Sequence, residues 1–318
     1  MLESKNPVLS IVSPVFNAEE CLDELIFRIT KSVQEIDVSY EILLIDDWST
    51  DGSWRKIEEI ASANSSVKGI RLSRNFGQHY AITAGLEHST GEWIVVMDCD
   101  LQDKPEEIIK FYKIKSEGFD VVFGRRINRK DTFIKKLFSR FFYKLFNMLT
   151  ENLSDRTVSN FGIYSRQVIQ NYLKLTEKIR LFPLLIRWMG FKIGFIDIEH
   201  SKRTSGISSY NFSKLFNLAI NAIVSQTNKP LKISIKYGFF MSIFSLLFLI
   251  YLIIRRLLFD IPLGWTSIMV SIFFVGGLIF ANLGLIGLYI GKIYDETKNR
   301  PIYIVKEFTC DLKSKRNV

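Results

Sequence analysis

The sequence predicts an α/β domain with a mostly parallel sheet and helices on both faces, followed by two transmembrane helices. In the first part of the 318-residue chain, short apolar runs alternate with segments of helical pattern. Strands and helices that alternate at this spacing are typical of βαβ units. Near residue 235 the composition changes, and two long apolar segments follow. We therefore predict an α/β domain over 1–232, two transmembrane helices over 233–292 and a basic tail over 293–318.

The order of the elements in the first part predicts where a ligand would bind. The predicted strands are Val8–Ser13, Glu41–Ile45, Val67–Leu72, Trp93–Met97 and Val121–Phe123. The predicted helices between them are Ala18–Ile36, Ser53–Ala63, Tyr80–His88 and Pro105–Ser116. In open α/β sheets, ligands bind beyond the carboxyl ends of the strands. The polar motifs of this chain follow those strands, so we expect the site at that edge of the sheet.

The two apolar segments, Tyr237–Ile254 and Trp265–Ile290, are each long enough to cross the hydrocarbon core of a bilayer as a helix. The alternative is a pair of helices buried in a soluble domain. Residues 239–254 contain no charged side chain and are apolar on nearly every face, which favours the membrane. We predict two transmembrane helices.

Two spans place both ends of the chain on one side of the membrane. Charge bias supports this arrangement only in part, since the short link between the spans carries Arg255 and Arg256. The basic residues that flank the spans on the other side are Lys229, Lys232, Lys236, Lys292, Lys298 and Arg300. We expect a multi-pass protein of the inner (cytoplasmic) membrane, with both termini and the α/β domain cytoplasmic.

Two further segments, Phe133–Leu149 and Phe212–Val224, have an apolar face and a polar face. The first carries several lysine and arginine residues opposite its apolar positions, as does a helix that lies among lipid headgroups. Either segment could instead cover the sheet as an ordinary amphipathic helix. We predict interfacial helices that contact membrane lipids.

Composition limits the other classes of function. A formal net charge of +9 suits an acidic partner such as nucleic acid, anionic lipid or a nucleotide diphosphate. Because basic residues flank the membrane segments, lipid is favoured and nucleic acid is not expected. The three cysteines, Cys21, Cys99 and Cys310, lie far apart, so neither a disulfide framework nor a cysteine-rich zinc site is indicated.

The sharpest local pattern is Asp98-Cys99-Asp100-Leu101-Gln102-Asp103, directly after an apolar strand. Two carboxylates separated by one residue at a strand end can both reach one hard cation. Mg²⁺ or Mn²⁺ held in this way usually completes its shell with diphosphate oxygens. This spacing alone is a weak signal, because acidic loops are common.

Other segments give the pattern its context. Ser13-Pro14-Val15-Phe16-Asn17-Ala18-Glu19-Glu20, Ile45-Asp46-Asp47-Trp48-Ser49-Thr50-Asp51-Gly52-Ser53 and Leu72-Ser73-Arg74-Asn75-Phe76-Gly77 each follow a predicted strand. Together with the Asp98–Glu106 segment, they resemble the family 2 glycosyltransferases, whose GT-A fold is Rossmann-like. The pattern is most similar to the branch of dolichyl-phosphate mannose synthases and bactoprenol-phosphate glucosyltransferases. The resemblance extends over nearly the whole chain, including the two apolar segments.

The resemblance implies roles for individual residues. Those implied for the nucleotide are Pro14, Phe16, Asn17, Glu19, Asp46, Asp47, Arg74 and Asp98. Those implied for Mg²⁺ or Mn²⁺ are Asp98, Asp100 and Gln102. Those implied for an acceptor phosphate are Arg125, Arg126, Arg203 and Tyr210. Asp100, Asn160, Arg203 and Arg126 would form the catalytic set.

The chain departs from the family pattern at two positions. Asn160 stands where relatives often have an acidic residue proposed as a base, and Ser209 stands where lysine is usual in the loop R-x-x-G-x-S-K-Y. An amide cannot accept a proton as a base does. A phosphate monoester, whose second pKa is about 6, is already largely ionised at pH 7 and needs no base. Asn160 therefore favours a phosphate acceptor, with Asp103 or Asp155 as alternative bases.

The resemblance implies an inverting transfer of a hexose-type sugar from a nucleotide-sugar donor to polyprenyl (undecaprenyl) phosphate. One alternative is a transferase that uses a lipid-linked sugar hydroxyl. Another is a noncatalytic membrane assembly subunit with a degenerate donor site. The resemblance also implies that the chain can form a homo-oligomer.

Overall fold

The computed structural model describes residues 7–126, 158–199, 224, 227–258 and 264–309. The two predicted interfacial helices, Phe133–Leu149 and Phe212–Val224, lie outside these residues except for Val224. The chain divides into two compact units. The described part of the first unit contains a mixed sheet with its helices, and that of the second contains two long helices.

The strands of the first unit are β1 (Leu9–Val15), β2 (Tyr40–Asp46), β3 (Val67–Leu72), β4 (Trp93–Val96), β5 (Val121–Arg126), β6 (Val158–Ser165), β7 (Ile193–Ile198) and β8 (Val305–Phe308). Their order across the sheet is β7-β5-β6-β4-β1-β2-β3-β8. The central pairs β4-β1, β1-β2 and β2-β3 are parallel, as the alternation of strands and helices predicts. Strand β6 is antiparallel to β4 and β5, and β8 is antiparallel to β3.

The helices of the first unit are α1 (Leu22–Ile36), α2 (Ser53–Ala63), α3 (Gln78–His88), α4 (Glu107–Ile114), α5 (Arg166–Lys174) and α6 (Phe182–Trp188). Two short 3-10 turns, Glu19–Cys21 and Lys115–Glu117, adjoin α1 and α4. Apolar residues of α1, α2 and α4 form one core against the sheet, and those of α3, α5 and α6 form another. Helices therefore cover both faces, which explains why all seven residues of β1 are buried.

The second unit contains α7 (Lys229–Leu258) and α8 (Trp265–Thr297). Both are long and apolar enough to cross a membrane, by length and composition. They include the two predicted transmembrane segments. The Ser234 hydroxyl donates a hydrogen bond to the Asn282 side chain, and the Tyr289 hydroxyl donates to the Thr227 carbonyl at 2.8 Å. The first bond joins the two helices, and the second joins α8 to the residue two positions before α7.

Candidate donor and metal site

The loops after β1 and β2 hold each other through hydrogen bonds. The backbone amide of Asn17 donates to Ser49 Oγ at 3.0 Å, and Asn17 Oδ1 accepts from the Thr50 amide at 2.8 Å. Glu19 Oε2 accepts from the Gly52 amide at 3.0 Å. A Cβ at Gly52 would lie 2.2 Å from Glu19 Oε1, so a larger residue there would displace the Glu19 carboxylate from this bond. Asn17 and Glu19, both predicted for the nucleotide, therefore also build the walls of the site.

Asp46 ends β2 and Asp47 directly follows it, and both are buried carboxylates. Asp46 is fully buried, accepts from the Ser49 amide at 3.1 Å and lies 3.2 Å from Arg71 Nε. Asp47 accepts from the Phe76 and Gly77 amides, each at 2.8 Å, and thereby ties the loop after β3 to β2. Burial raises the pKa of both carboxyl groups above the ordinary value.

Asp98 and Asp100 lie just beyond the carboxyl end of β4, where the strand pattern places them. Asp98 Oδ1 accepts a hydrogen bond from Gln78 Nε2 at 2.5 Å, and Asp100 Oδ1 accepts from the backbone amide of Gln102 at 3.2 Å. Burial, followed by the charges of Asp103 and Asp100, raises the pKa of Asp98 to about 6. The motif therefore concentrates negative charge that a cation would stabilise.

The donor set suits a hard divalent cation. Within the described residues, no three His, Cys, Asp or Glu side chains are arranged as a metal site. Mg²⁺, however, commonly takes only one or two protein carboxylates and completes its shell with substrate phosphates and water. Asp98 and Asp100, with the side-chain carbonyl oxygen of Gln102, are oxygen donors that suit that mode of binding.

Two arginines at the end of β5 are held by carboxylates. Arg126 donates from Nε and Nη2 to the two oxygens of Asp103, at 3.0 and 2.7 Å, and Asp103 is 2% exposed. Arg125 donates to Asp197 on the neighbouring strand β7 at 2.6 Å. Arg126 is thus fixed beside the Asp98 motif, whereas Arg125 pairs across the edge of the sheet. Asp103, one of the two alternative bases, has both oxygens engaged.

The remaining predicted residues are distributed around this edge. Pro14 is buried in β1, and Phe16 just beyond it is 49% exposed. The guanidinium of Arg74 lies 4.3 Å from the ring centroid of Phe76. Asn160 lies on β6, where its backbone carbonyl accepts from the Tyr164 hydroxyl at 3.0 Å. The others, Asp155, Arg203, Ser209 and Tyr210, lie outside the described residues.

Comparison with known proteins assigns the chain to a family. The family model described as glycosyl transferase family 2 matches residues 10–181, which is more than half of the chain. The chain belongs to glycosyl transferase family 2. The motifs at the ends of β1, β2 and β4 all lie within the matched residues of this family 2 enzyme.

Relatives of the family 2 enzyme match over nearly their whole length. The bactoprenol glucosyl transferase of Shigella phage SfII is 34% identical over 302 residues, covering 94% of this chain and 97% of the phage protein. The undecaprenyl-phosphate 4-deoxy-4-formamido-L-arabinose transferase of Proteus mirabilis is 33% identical over 317 residues, covering 97% of this chain and 96% of that protein. The match includes the apolar helices, as the resemblance in sequence implies.

A solved structure confirms the GT-A fold. Glucosyl-3-phosphoglycerate synthase from Mycobacterium tuberculosis, in complex with Mn²⁺, UDP-glucose and phosphoglyceric acid, superposes with a TM-score of 0.51. It is 17% identical, and the superposition covers 69% of this chain and 78% of that one. The likeness is one of fold.

Several contacts of this family 2 enzyme were not predicted from the sequence. Gln78, at the start of α3, bonds Asp98 twenty residues later in the chain. Arg71 lies between Asp46 and Glu307 of β8, and Lys306 lies over Trp48. Two charged residues, Lys68 and Arg71, lie within the otherwise apolar strand β3. That pattern could have indicated that Arg71 has an acidic partner in the sheet. Strand β8 has only four residues, and two of them are charged, so its sequence contains no apolar run that would predict a strand.

Proposed function

We propose that this enzyme transfers a sugar from a nucleotide-diphosphate sugar to a polyprenyl phosphate, with inversion, at the cytoplasmic face of the membrane that it spans. The observation that carries the proposal is the position of Asp98 and Asp100 beyond β4, in a chain that matches, over nearly its whole length, transferases named for undecaprenyl phosphate and bactoprenol. A soluble donor and a membrane-embedded acceptor also account for a sheet domain and two apolar helices in one chain.

Asp98, Asp100 and Gln102 would hold Mg²⁺ or Mn²⁺. When bound, the cation would neutralise negative charge on the departing nucleoside diphosphate. The pKa of Asp98 supports this assignment, because burial and nearby carboxylates make its charge unfavourable without a cation. Gln78 orients Asp98 from the start of α3.

The nucleoside would bind where the loops after β1 and β2 meet. Phe16 offers a half-exposed ring, and Asn17 and Glu19 line the same loop. Asp46 and Asp47 are buried and hydrogen-bonded to backbone amides, so they act mainly by holding these loops in place. The other residues assigned to the donor are Pro14 and Arg74.

Arg126 would meet the acceptor phosphate. Its bonds to Asp103 use Nε and Nη2, so Nη1 has no hydrogen bond to that carboxylate. Arg125, Arg203 and Tyr210 complete the proposed acceptor set. Fixing a guanidinium before the substrate binds lowers the cost of orienting the phosphate.

The reaction needs no proton transfer. An oxygen of the acceptor phosphate dianion attacks the anomeric carbon while the bond from that carbon to the nucleoside diphosphate breaks. The nucleoside diphosphate leaves with the electron pair, and the product is a phosphodiester. Because a phosphate monoester is largely ionised at pH 7, the amide of Asn160 is compatible with this step.

A hydroxyl acceptor is the second candidate, and it would need a base. Asp103 is poorly suited to that task, because both of its oxygens accept from Arg126 and it is almost fully buried. The noncatalytic alternative is disfavoured by the presence of both Asp98 and Asp100 beyond β4.

The proposal is tested by transfer from a panel of radiolabelled nucleotide-sugars to undecaprenyl phosphate, in detergent with Mg²⁺ or Mn²⁺. The Asp100→Asn variant should lose transfer by at least about 100-fold, because charge stabilisation of the leaving group is lost. Asp37→Asn is the matched control, since Asp37 ends α1 in a left-handed conformation that asparagine tolerates. Nucleotide binding without transfer from any donor would reject the phosphate acceptor.

A further inference from the structure

A row of three charged residues crosses the edge of the sheet. Asp46 on β2 is the register partner of Arg71 on β3, and Arg71 is the register partner of Glu307 on β8. Arg71 Nε lies 3.2 Å from Asp46 Oδ2, and Arg71 Nη1 donates to Glu307 Oε1 at 3.0 Å. Register partners project from the same face of a sheet, so one guanidinium serves both carboxylates.

This row begins inside the donor site. Asp46 is fully buried, and its other oxygen accepts from the Ser49 amide in the loop after β2. Burial raises the pKa of Asp46, and the charge of Arg71 opposes that rise. The position of Arg71 therefore influences the charge of a carboxylate that shapes the donor loop.

Trp48 connects β8 to the same loop by a second route. Trp48 has a φ of 62°, a left-handed conformation that costs energy for a bulky residue. The Arg71 guanidinium lies 5.1 Å from its ring centroid, and the Lys306 ammonium lies 4.8 Å from it. Cations at this distance are attracted by an indole ring and can offset part of the cost.

Strand β8 is itself fastened to the sheet. The Gly69 amide donates to Thr309 Oγ1 at 2.8 Å, and the Ser73 amide donates to the Ile304 carbonyl at 2.9 Å. The Tyr303 hydroxyl donates to a carboxylate oxygen of Glu87 on α3. The segment after α8 is thus held on both sides of Lys306 and Glu307.

We propose that β8 is a positioning element of the donor site. Glu307 holds Arg71, and Lys306 holds Trp48, in the places that fix the loop from Asp46 to Ser53. Donor binding then depends on a segment that follows the second apolar helix. This inference rests on the proposed function for its substrate, and it assigns Lys306 and Glu307 as positioning residues.

Steady-state kinetics of the full-length protein in detergent test the proposal. Glu307→Gln and Lys306→Ala should each raise KM for the nucleotide-sugar by about 2- to 5-fold, as expected for a partly exposed ion pair and a partly exposed cation–π contact, with kcat nearly unchanged. Lys306→Arg should restore KM. The exposed positions Glu58 and Lys31 supply the matched controls Glu58→Gln and Lys31→Ala.

The same data separate positioning from a purely structural role. A purely structural role would lower Tm and, through a smaller fraction of folded enzyme, the apparent kcat, with KM unchanged. An unchanged KM in both variants would overturn the proposal. If Glu307→Gln fails to fold, Lys306→Ala carries the test, because its side chain is 47% exposed.

Amide hydrogen exchange in the ligand-free protein tests the inference independently of the reaction. The Ser49 amide, which donates to Asp46, should exchange about 3-fold or more faster in Glu307→Gln than in wild type. Equal exchange would overturn the positioning role even if sugar transfer is found. Faster exchange without transfer to undecaprenyl phosphate would instead reject the acceptor and retain the role of β8.

Discussion

Glu41 is a buried carboxylate near the start of β2, at the opposite end of that strand from the candidate site. It accepts hydrogen bonds from Ser10 Oγ at 2.7 Å and from the amide and hydroxyl of Thr90 at 2.7 and 2.8 Å. Lys68 Nζ lies 2.6 Å from its other oxygen. These four donors join β1, β2, β3 and the loop before β4 at one residue.

The network predicts a pH-dependent stability. Burial alone would raise the pKa of Glu41, but the bonds from Lys68, Ser10 and Thr90 lower it below the ordinary 4.5. A lowered folded-state pKa contributes stability above the unfolded value, and that contribution is lost as pH falls through the folded pKa. Glu41→Gln should therefore cost about 2 kcal/mol at pH 7 and less below about pH 4.

Thermal unfolding of the full-length protein at pH 7 and at pH 4 measures this effect. The exposed Glu58→Gln variant controls for loss of one negative charge, and it should leave Tm unchanged at either pH. A Glu41→Gln deficit of the same size at pH 7 and pH 4 would show that the carboxylate charge is not what stabilises the network.

At the scale of residues, the sequence predicted positions better than partners. Asp98 and Asp100 were expected at the end of a strand, and the structure places them there. Their neighbours depend on the order of strands in the sheet, which brings Gln78 to Asp98 and Arg126 to Asp103. Such pairs join segments that are distant in the chain, so no local pattern contains them.

Among the elements, α3 packs closely on the sheet and also contacts the candidate metal motif. Gly85 faces β1 and β2, where a Cβ would lie 2.4 Å from Val12 Cγ1 and 2.6 Å from Ile45 Cδ1. The same helix begins at Gln78, which bonds Asp98. A change in how α3 packs therefore also changes the metal motif.

Gly85→Val should destabilise the protein by about 2 kcal/mol, because extra methyl groups overfill a closely packed core. Thermal unfolding in detergent should show a fall in Tm of several degrees. Gly276→Val in α8 is the matched control, since a Cβ there meets no heavy atom within 4 Å. Equal Tm values for the two variants would mean that α3 can move away from β1 at no cost.

The elements of the first 126 residues were predicted well because their signals are local. Helix α2 and strand β3 have the predicted bounds, and the other elements there differ by a few residues at their ends. Strands β6, β7 and β8 were not predicted. Strand β6 is antiparallel to both of its neighbours, and β8 is antiparallel to β3, so neither fits the βαβ rule. Strand β7 pairs parallel with β5, but β6 comes between these two strands in the chain.

For the whole molecule, the position of β8 bears on membrane topology. Residues 300–309 follow both apolar helices, yet they belong to the same compact unit as β1 to β7. A chain that leaves this unit, enters the membrane and returns to it must cross an even number of times. Many large side chains of α7 and α8 are exposed, for example Phe239 at 70% and Phe273 at 77%, as expected for surfaces that face lipid.

We predict that α7 and α8 cross the membrane once each and that both ends of the chain are cytoplasmic. Cysteine labelling with a membrane-impermeant maleimide in oriented bacterial vesicles measures this, in a Cys310→Ser background where the remaining Cys21 and Cys99 are buried. A Pro262→Cys variant, between the helices, should react only from the periplasmic side, and Ser314→Cys, after β8, only from the cytoplasmic side. Reaction of both from the cytoplasmic side would mean that the helices lie on the membrane without crossing it.

A surface-bound enzyme of that kind could still bind the soluble donor at its sheet. It would take the lipid acceptor from one leaflet only. The labelling pattern therefore decides between an integral and a peripheral transferase.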